Sequence, residues 1–275
     1  MSVLKATNKK IAKRSDGVVE KYEFELKDGE KIESSYRDFM GKAEVYLSCQ
    51  VGCGVGCQFC ACSEEWLLRD LSWKEIVAQA ETMLENKKYQ SLTLSFNGIG
   101  EPTNNERAVS KAIKELLKKY PQAKIKVTTT GANEKVIRKF ESLPVSLQLS
   151  LHAPNTKLRE DIIETVMDIK KIVKAARHFA KRKGQKVTVN YLLLKDFNDS
   201  YQVVDEMLGL LDPRYFRIVL SHLNNVAVRD FPYEDSGKFG VMLEYIASRG
   251  FEVTEFDDIG KIAGAGCGQL TSSQE

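Results

Sequence analysis

Ser91-Leu-Thr-Leu-Ser-Phe-Asn97, a helical stretch near 106–119, and Lys124-Ile-Lys-Val-Thr-Thr129 together decide the fold. Two short apolar, β-branched runs on either side of an amphipathic stretch make a right-handed βαβ unit, and so a pair of parallel strands. The alternation continues outward. Candidate strands are Val45–Cys49 upstream and Val145–Ser150, Lys186–Leu194 and Phe216–Leu220 downstream, with a seventh at Phe251–Phe256. Helical spacing recurs over Trp73–Lys87, opened by a Ser72/Glu75 capping box, and near 134–142, 168–183, 202–211 and 237–249. About six such units predict an α/β fold, an open or partly closed (βα)6 barrel.

Farther upstream, Val18–Leu26 and Lys31–Tyr36 flank Asp28-Gly29, a turn pair that predicts a short N-terminal β-hairpin. The expected division is a basic lead and hairpin over 1–40 and a core over 41–275. The 275 residues are 43% hydrophobic and 29% charged, the balance of a soluble globular chain. No apolar run approaches the roughly 18 residues of a membrane span, and Met1-Ser2-Val3-Leu4-Lys5-Ala6 lacks the apolar core of a secretory signal, so the expectation is cytoplasmic. The formal net charge of +3 is too mild to imply nucleic acid. Two basic groups stand out: Lys5, Lys9, Lys10, Lys13 and Arg14, and the run from Lys170 through Lys174, Arg177 and Lys181 to Lys186. Each reads either as a phosphate-facing surface or as a solvated face or terminus.

Five of the six cysteines, Cys49, Cys53, Cys57, Cys60 and Cys62, crowd into one short stretch, and Cys267 stands alone near the end. A disulfide framework spreads its cysteines, so this cluster points to metal or redox chemistry. Cys53-Gly-Val-Gly-Cys57-Gln-Phe-Cys60 offers three thiolates in a glycine-softened loop, enough for three irons of a [4Fe–4S] cube with the fourth left open. Tetrahedral zinc with Cys49 or Cys62 as fourth ligand is the competing reading, although no second Cys/His pair accompanies it. The cluster follows the first parallel strand, Asn97–Asn104 the second, Thr128–Gly131 the third and Ser150–Asn155 the fourth. Ligands bind at these carboxyl ends in parallel α/β folds.

The cysteine spacing is the signature of the radical S-adenosylmethionine (SAM) superfamily. The chain resembles the RlmN/Cfr branch, which methylates an adenine of large-subunit ribosomal RNA. Ser48-Cys-Gln-Val-Gly-Cys53, Gly98-Ile-Gly-Glu-Pro102, Thr128-Thr-Thr-Gly131, Ser150-Leu-His-Ala-Pro-Asn155, Val187-Thr-Val189 and Cys267-Gly-Gln-Leu270 carry the resemblance, over about residues 30–270. It implies a partial radical SAM barrel, a [4Fe–4S] cluster on Cys53, Cys57 and Cys60, and SAM on the open iron. Gly100 and Glu101 would receive the amino group of SAM, with Thr130, Ser150, Leu151, His152 and Asn224 lining the rest. Taken singly, His152 reads as a locally satisfied histidine, and Thr130 and Asn224 as turn and loop residues.

The resemblance further implies that the Cys267 thiolate takes a methyl group from one SAM. A radical from a second SAM activates that group toward an sp2 carbon, and Glu33 removes the substrate proton. Without the resemblance, Cys267 is an incidental thiol and Glu33 an exposed hairpin carboxylate. The implied partners are RNA, ribosomal or transfer, and an electron donor such as flavodoxin or ferredoxin, with no membrane. Three departures bear on substrate. The family's product-releasing cysteine falls on Tyr46, with Cys49 and Cys62 as the nearest other thiols. The lead is too short for the family's N-terminal accessory domain. Prolines expected around Asn224 are missing from Ser221-His-Leu-Asn-Asn-Val226. A non-RNA substrate, small molecule or peptide, and a non-catalytic zinc or nucleic-acid-binding module are the alternatives.

Overall fold

The structure is a computed structural model that describes residues 3–165, 167–224, 226, 231–256, 263–266 and 268–271. Its spine is one ten-stranded sheet. Three antiparallel strands come first: β1 (Leu4–Arg14), β2 (Gly17–Leu26) and β3 (Lys31–Phe39). β4 (Lys42–Tyr46) pairs antiparallel with β3 and starts the parallel part. A small ladder, β5 (Gln50–Val51) with β6 (Arg69–Asp70), stands apart from the main sheet. The parallel series continues through β7 (Ser91–Phe96), β8 (Lys124–Thr129), β9 (Val145–Ser150), β10 (Val187–Leu192), β11 (Phe216–Ser221) and β12 (Val253–Glu255). Six βα crossovers and a closing strand result, as the alternation predicts.

The connecting helices are α1 (Trp73–Leu84), α2 (Glu106–Lys119), α3 (Glu134–Lys139), α4 (Thr156–Glu160), α5 (Ile169–Lys183), α6 (Tyr201–Leu210) and α7 (Phe239–Ser248). The Ser72/Glu75 capping box forms in both directions: Ser72 N–H donates to Glu75 Oε2 at 2.7 Å, and Glu75 N–H donates back to Ser72 Oγ at 3.3 Å. Alternate strand residues Val45, Leu94, Val127, Leu147, Val189 and Ile218 are buried against the helices. Their neighbours in sequence face inward and are polar: Glu44, Ser95, Lys126, Gln148, Asn190. The sheet curls so that β12 approaches β3, with the Arg37 guanidinium of β3 lying 5.3 Å from the ring of Phe256, just past β12. The curl leaves a cavity at the carboxyl ends of the strands, lined among others by Tyr46, Lys126, Gln148, Asn190 and Ser221.

Two expectations are corrected. The basic lead is no frayed terminus: Leu4–Arg14 is a strand, because β2 supplies cross-strand partners that a local reading cannot see. Lys9 Nζ reaches Glu20 at 2.9 Å and sits over the Tyr22 ring, and Thr7 Oγ1 donates to Glu23 at 2.7 Å. The first parallel strand ends at Tyr46, not Cys49. Beyond it the chain stays close to the loop after β7, with Gly98 N–H donating to Leu47 O at 3.0 Å and no room for a Cβ at Gly98, which would lie 2.7 Å from the Leu47 carbonyl carbon.

Candidate active site

The loop after β4 is closed at its base by the β5/β6 ladder and packed from two sides. Gly52 (φ +73°) presses on the Trp66 carbonyl, where any Cβ would fall 2.2 Å from the oxygen. On the other side, the chain after α4 pairs with the loop: Gln58 N–H donates to Ile162 O at 3.0 Å, and Glu164 N–H to Gly56 O at 3.1 Å. Cys53, Cys57 and Cys60 are each part-buried, and the thiols of Cys53 and Cys57 both lie within the field of Cys60. Burial pushes the Cys57 thiol well up and Cys53 to about 12. A hydrogen bond from Cys62 holds Cys60 down, while that bond and burial push Cys62 up.

A thiolate is the metal-binding form, so buried thiols of this kind ionise when a cationic group joins them. Mononuclear zinc would need four donors about 2.0–2.3 Å from one point. Among the described residues, no group of three or more His, Cys, Asp or Glu side chains converges that tightly. Three thiols presented on one backbone-rich loop are instead the donor set for three irons of a [4Fe–4S] cluster.

Facing this loop, Glu101 is 3% exposed and its carboxylate is fully ordered. Oε1 accepts from Thr103 N–H, Thr103 Oγ1 and Thr129 Oγ1 at 2.6–2.9 Å, and Oε2 from Thr130 N–H and Oγ1 at 2.9 Å. The Glu101 N–H donates to Gln50 Oε1 at 2.8 Å. Gly100 (φ +99°) lies against Gln50, where a Cβ would come within 2.6 Å. Thus Gly100, Glu101 and Thr130 share one wall, and among the described residues no cationic side chain pairs with the carboxylate.

Ser150 ends β9, and buried Leu151 donates its N–H to Asn190 O at 3.1 Å. His152 adopts φ +61°, a left-handed conformation that costs a non-glycine residue about 1–2 kcal/mol. Buried contacts hold it: His152 Nδ1 accepts from Leu192 N–H at 3.0 Å, and its carbonyl accepts from Asn198 Nδ2 at 2.8 Å. Its ring meets Phe59 of the cysteine loop edge to face at 5.1 Å. Burial lowers the imidazole to about 3, so it stays neutral. Asn224 is also buried, at the end of the β11 loop. Sequence reading missed Asn198, Gln50 and Arg159. Arg159 is 1% exposed and donates to the carbonyls of Thr130, Ser150 and Leu151, yet nothing in its local sequence marks it as buried.

The hairpin and the chain's last described segment meet over the cavity. Glu33 is buried rather than exposed: Oε1 pairs with Lys21 Nζ at 2.7 Å, and Oε2 accepts from Thr271 N–H at 3.0 Å. Ala61 N–H donates to Gly268 O at 2.7 Å, and Cys62 Sγ to Leu270 O at 3.1 Å. Cys267 itself lies outside the described residues. Cys60 and Cys62 line the cavity and Cys49 does not, although Cys49 and Cys62 are both buried in the main core. Tyr46 also lines the cavity, its ring between the Arg37 guanidinium (5.0 Å) and Lys126 Nζ (5.8 Å). Both cations pair with Glu44, which they hold down to about 2 despite its burial.

No helix among the described residues is long and apolar enough to cross a membrane. The model of the radical SAM superfamily matches residues 47–208. A probable dual-specificity RNA methyltransferase RlmN of Dictyoglomus turgidum is 33% identical over 267 residues, spanning 93% of this chain and 76% of the relative. The dual-specificity RNA methyltransferase RlmN of Nautilia profundicola is 32% identical, spanning 91% and 72%. Among solved structures, a radical SAM methyltransferase from Sphaerobacter thermophilus superposes with a TM-score of 0.90 at 28% identity, over 99% of this chain and 82% of that one. The superfamily works with a [4Fe–4S] cluster and SAM, and the donor set and cradle above suit both. Curled (βα)6 sheet, cysteine loop and matching relatives agree: this chain belongs to the radical SAM superfamily, in its RlmN-like branch, and is a radical SAM methyltransferase.

Proposed function

We propose that the enzyme methylates an sp2 carbon of an RNA adenine by way of a methyl group carried on Cys267. In this reading Cys53, Cys57 and Cys60 hold the cluster, and Gly100, Glu101, Thr130, Ser150, Leu151, His152 and Asn224 hold SAM. When bound, these groups supply an electron and a carbon-centred radical. The rest falls to the chain. Glu101 offers a buried carboxylate with no cationic partner among the described residues, suited to an ammonium. Neutral His152 fills space against Phe59 without adding a competing positive charge. Glu33 takes a proton from the substrate carbon and is oriented for this by Lys21 and the Thr271 amide.

The observation that carries the reading is the docking of Gly268, Leu270 and Thr271 on Ala61, Cys62 and Glu33. It ties the neighbours of residue 267 to the cluster loop and the candidate base at once. Cys62 is the cavity thiol available to release the product as a disulfide with Cys267, since Cys49 is buried elsewhere.

RNA as substrate is supported by the outer face of α5. Ile169–Lys183 contains no acidic residue, and exposed Lys170, Lys171, Lys174, Lys181 and Arg182 make no ion pair among the described residues. Such a stripe suits phosphates. The proposed setting is the cytoplasm, where thiols stay reduced and a flavodoxin- or ferredoxin-type donor delivers single electrons. Tyr46 favours a second reading, a non-RNA substrate, because a phenol cannot form the releasing disulfide.

The test is anaerobic reconstitution with methyl-labelled SAM and total RNA, followed by intact-mass and nucleoside mass spectrometry. One methyl group on Cys267 and label in adenine are expected. An unmodified Cys267 in enzyme that cleaves SAM defeats the cysteine route. Labelled Cys267 without labelled RNA selects the second reading.

A further inference from the structure

We infer that Arg159 is a positioning residue that joins the SAM-lining loops to the cluster loop and serves as the buried counter-cation of the cluster. The inference rests on the cluster assignment proposed above. Its starting point is an imbalance. Arg159 is 1% exposed, yet no carboxylate lies within ion-pair reach of it among the described residues. Its guanidinium donates only to backbone carbonyls: Nε to Leu151 O at 3.0 Å, and Nη2 to Thr130 O at 2.6 Å and Ser150 O at 3.0 Å. Neutral dipoles orient a guanidinium but leave its charge uncancelled, and a buried uncompensated charge is strongly destabilising.

The three carbonyls belong to three residues assigned to SAM, drawn from the ends of β8 and β9. One side chain therefore sets the spacing of two loops. Arg159 is in turn fixed by α4, whose first turn is capped by Asn155 Oδ1 accepting from Leu158 N–H at 2.9 Å. The chain then runs directly into the cluster loop. Arg159 O accepts from Ile163 N–H, Ile163 bridges Cys57, and Thr165 N–H donates to Val55 O at 2.9 Å. The acidic groups whose fields reach the guanidinium are Cys57 and Glu101. Three thiolates around an iron–sulfur core would leave a net negative site, more negative once reduced, on the loop that this backbone path reaches from Arg159.

A fixed cation beside a cluster favours its reduced form, since reduction adds a negative charge. The test compares wild type with Arg159→Lys and Arg159→Gln in the full chain, reconstituted anaerobically. The readouts are iron content, the cluster's reduced-to-oxidised ratio in an EPR potential titration, and SAM binding by equilibrium dialysis. Arg159→Gln is expected to lower that ratio about tenfold at fixed potential, equal to 59 mV for one electron. It should also weaken SAM binding about tenfold. Arg159→Lys, which keeps the charge and loses the fork, should hold the ratio within about threefold yet weaken SAM binding like the Gln variant. Equal ratios in all three proteins overturn the counter-cation role, as does equal loss of iron from both variants. Wild-type protein that takes up no iron would instead sink the cluster assignment.

Discussion

The backbone N–H of Thr271 donates to the Glu33 carboxylate at 3.0 Å, although 238 positions separate the two residues. The same carboxylate pairs with Lys21 on the neighbouring strand. The hairpin and the segment around residue 267 are therefore coupled through one acidic group at the mouth of the cavity.

Glu33→Gln keeps the size and a carbonyl acceptor but removes the base. SAM cleavage should continue while methyl transfer falls at least about 100-fold, the usual contribution of a positioned base. Separate quantitation of 5′-deoxyadenosine and methylated product checks this. A parallel fall in both would reassign Glu33 to holding the segment in place.

Gly100→Ala introduces a Cβ 2.6 Å from the Gln50 Cβ at a φ of +99°. The strain should cost about 1–3 kcal/mol and shift the Gly100–Glu101 turn. Thermal denaturation and SAM dialysis should show a lower midpoint and at least tenfold weaker binding. A neutral result would mean that this wall does not touch SAM.

Burial holds His152 at about 3 in the folded protein, against about 6.5 when unfolded. The unfolded chain therefore binds the extra proton first, so His152 titration contributes nothing above pH 6.5 and increasingly opposes folding as pH falls toward 3. Between pH 8 and pH 5 this amounts to about 2 kcal/mol. His222 acts oppositely: despite partial burial, Glu255 and Asp235 raise it, so its contribution is present at low pH and fades as pH rises. The wild-type minus His152→Asn difference in urea stability isolates the first effect. A difference independent of pH would show that His152 titrates normally.

Replacing Lys170, Lys171 and Lys174 together by Gln should weaken RNA binding without changing cluster content. The slope of log affinity against log salt should fall by about 2, since each lost phosphate contact removes roughly 0.7 to 0.9. Filter binding across a salt series measures it. An unchanged slope would leave α5 a solvated face.

Much was legible before any coordinates. The 2- and 3.6-residue periods of Ser91–Phe96, Glu106–Lys119 and Lys124–Thr129 are local signals, and they specify the parallel series because each element must bury one face. The Cys-x3-Cys-x2-Cys spacing of Cys53, Cys57 and Cys60 is visible for the same reason: spacing on one loop is a property of the chain alone. Tertiary structure decided what depends on partners far away in sequence. The lysine-rich lead is a strand only because Glu20, Tyr22 and Glu23 receive it. Glu33 is buried only because Lys21 and Thr271 close over it. Arg159 resembles any helical arginine until folding removes it from water and sets its guanidinium on the carbonyls of Thr130, Ser150 and Leu151. Local periodicity follows from each residue's own geometry, whereas burial and charge pairing arise from contacts that exist only once the sheet has curled.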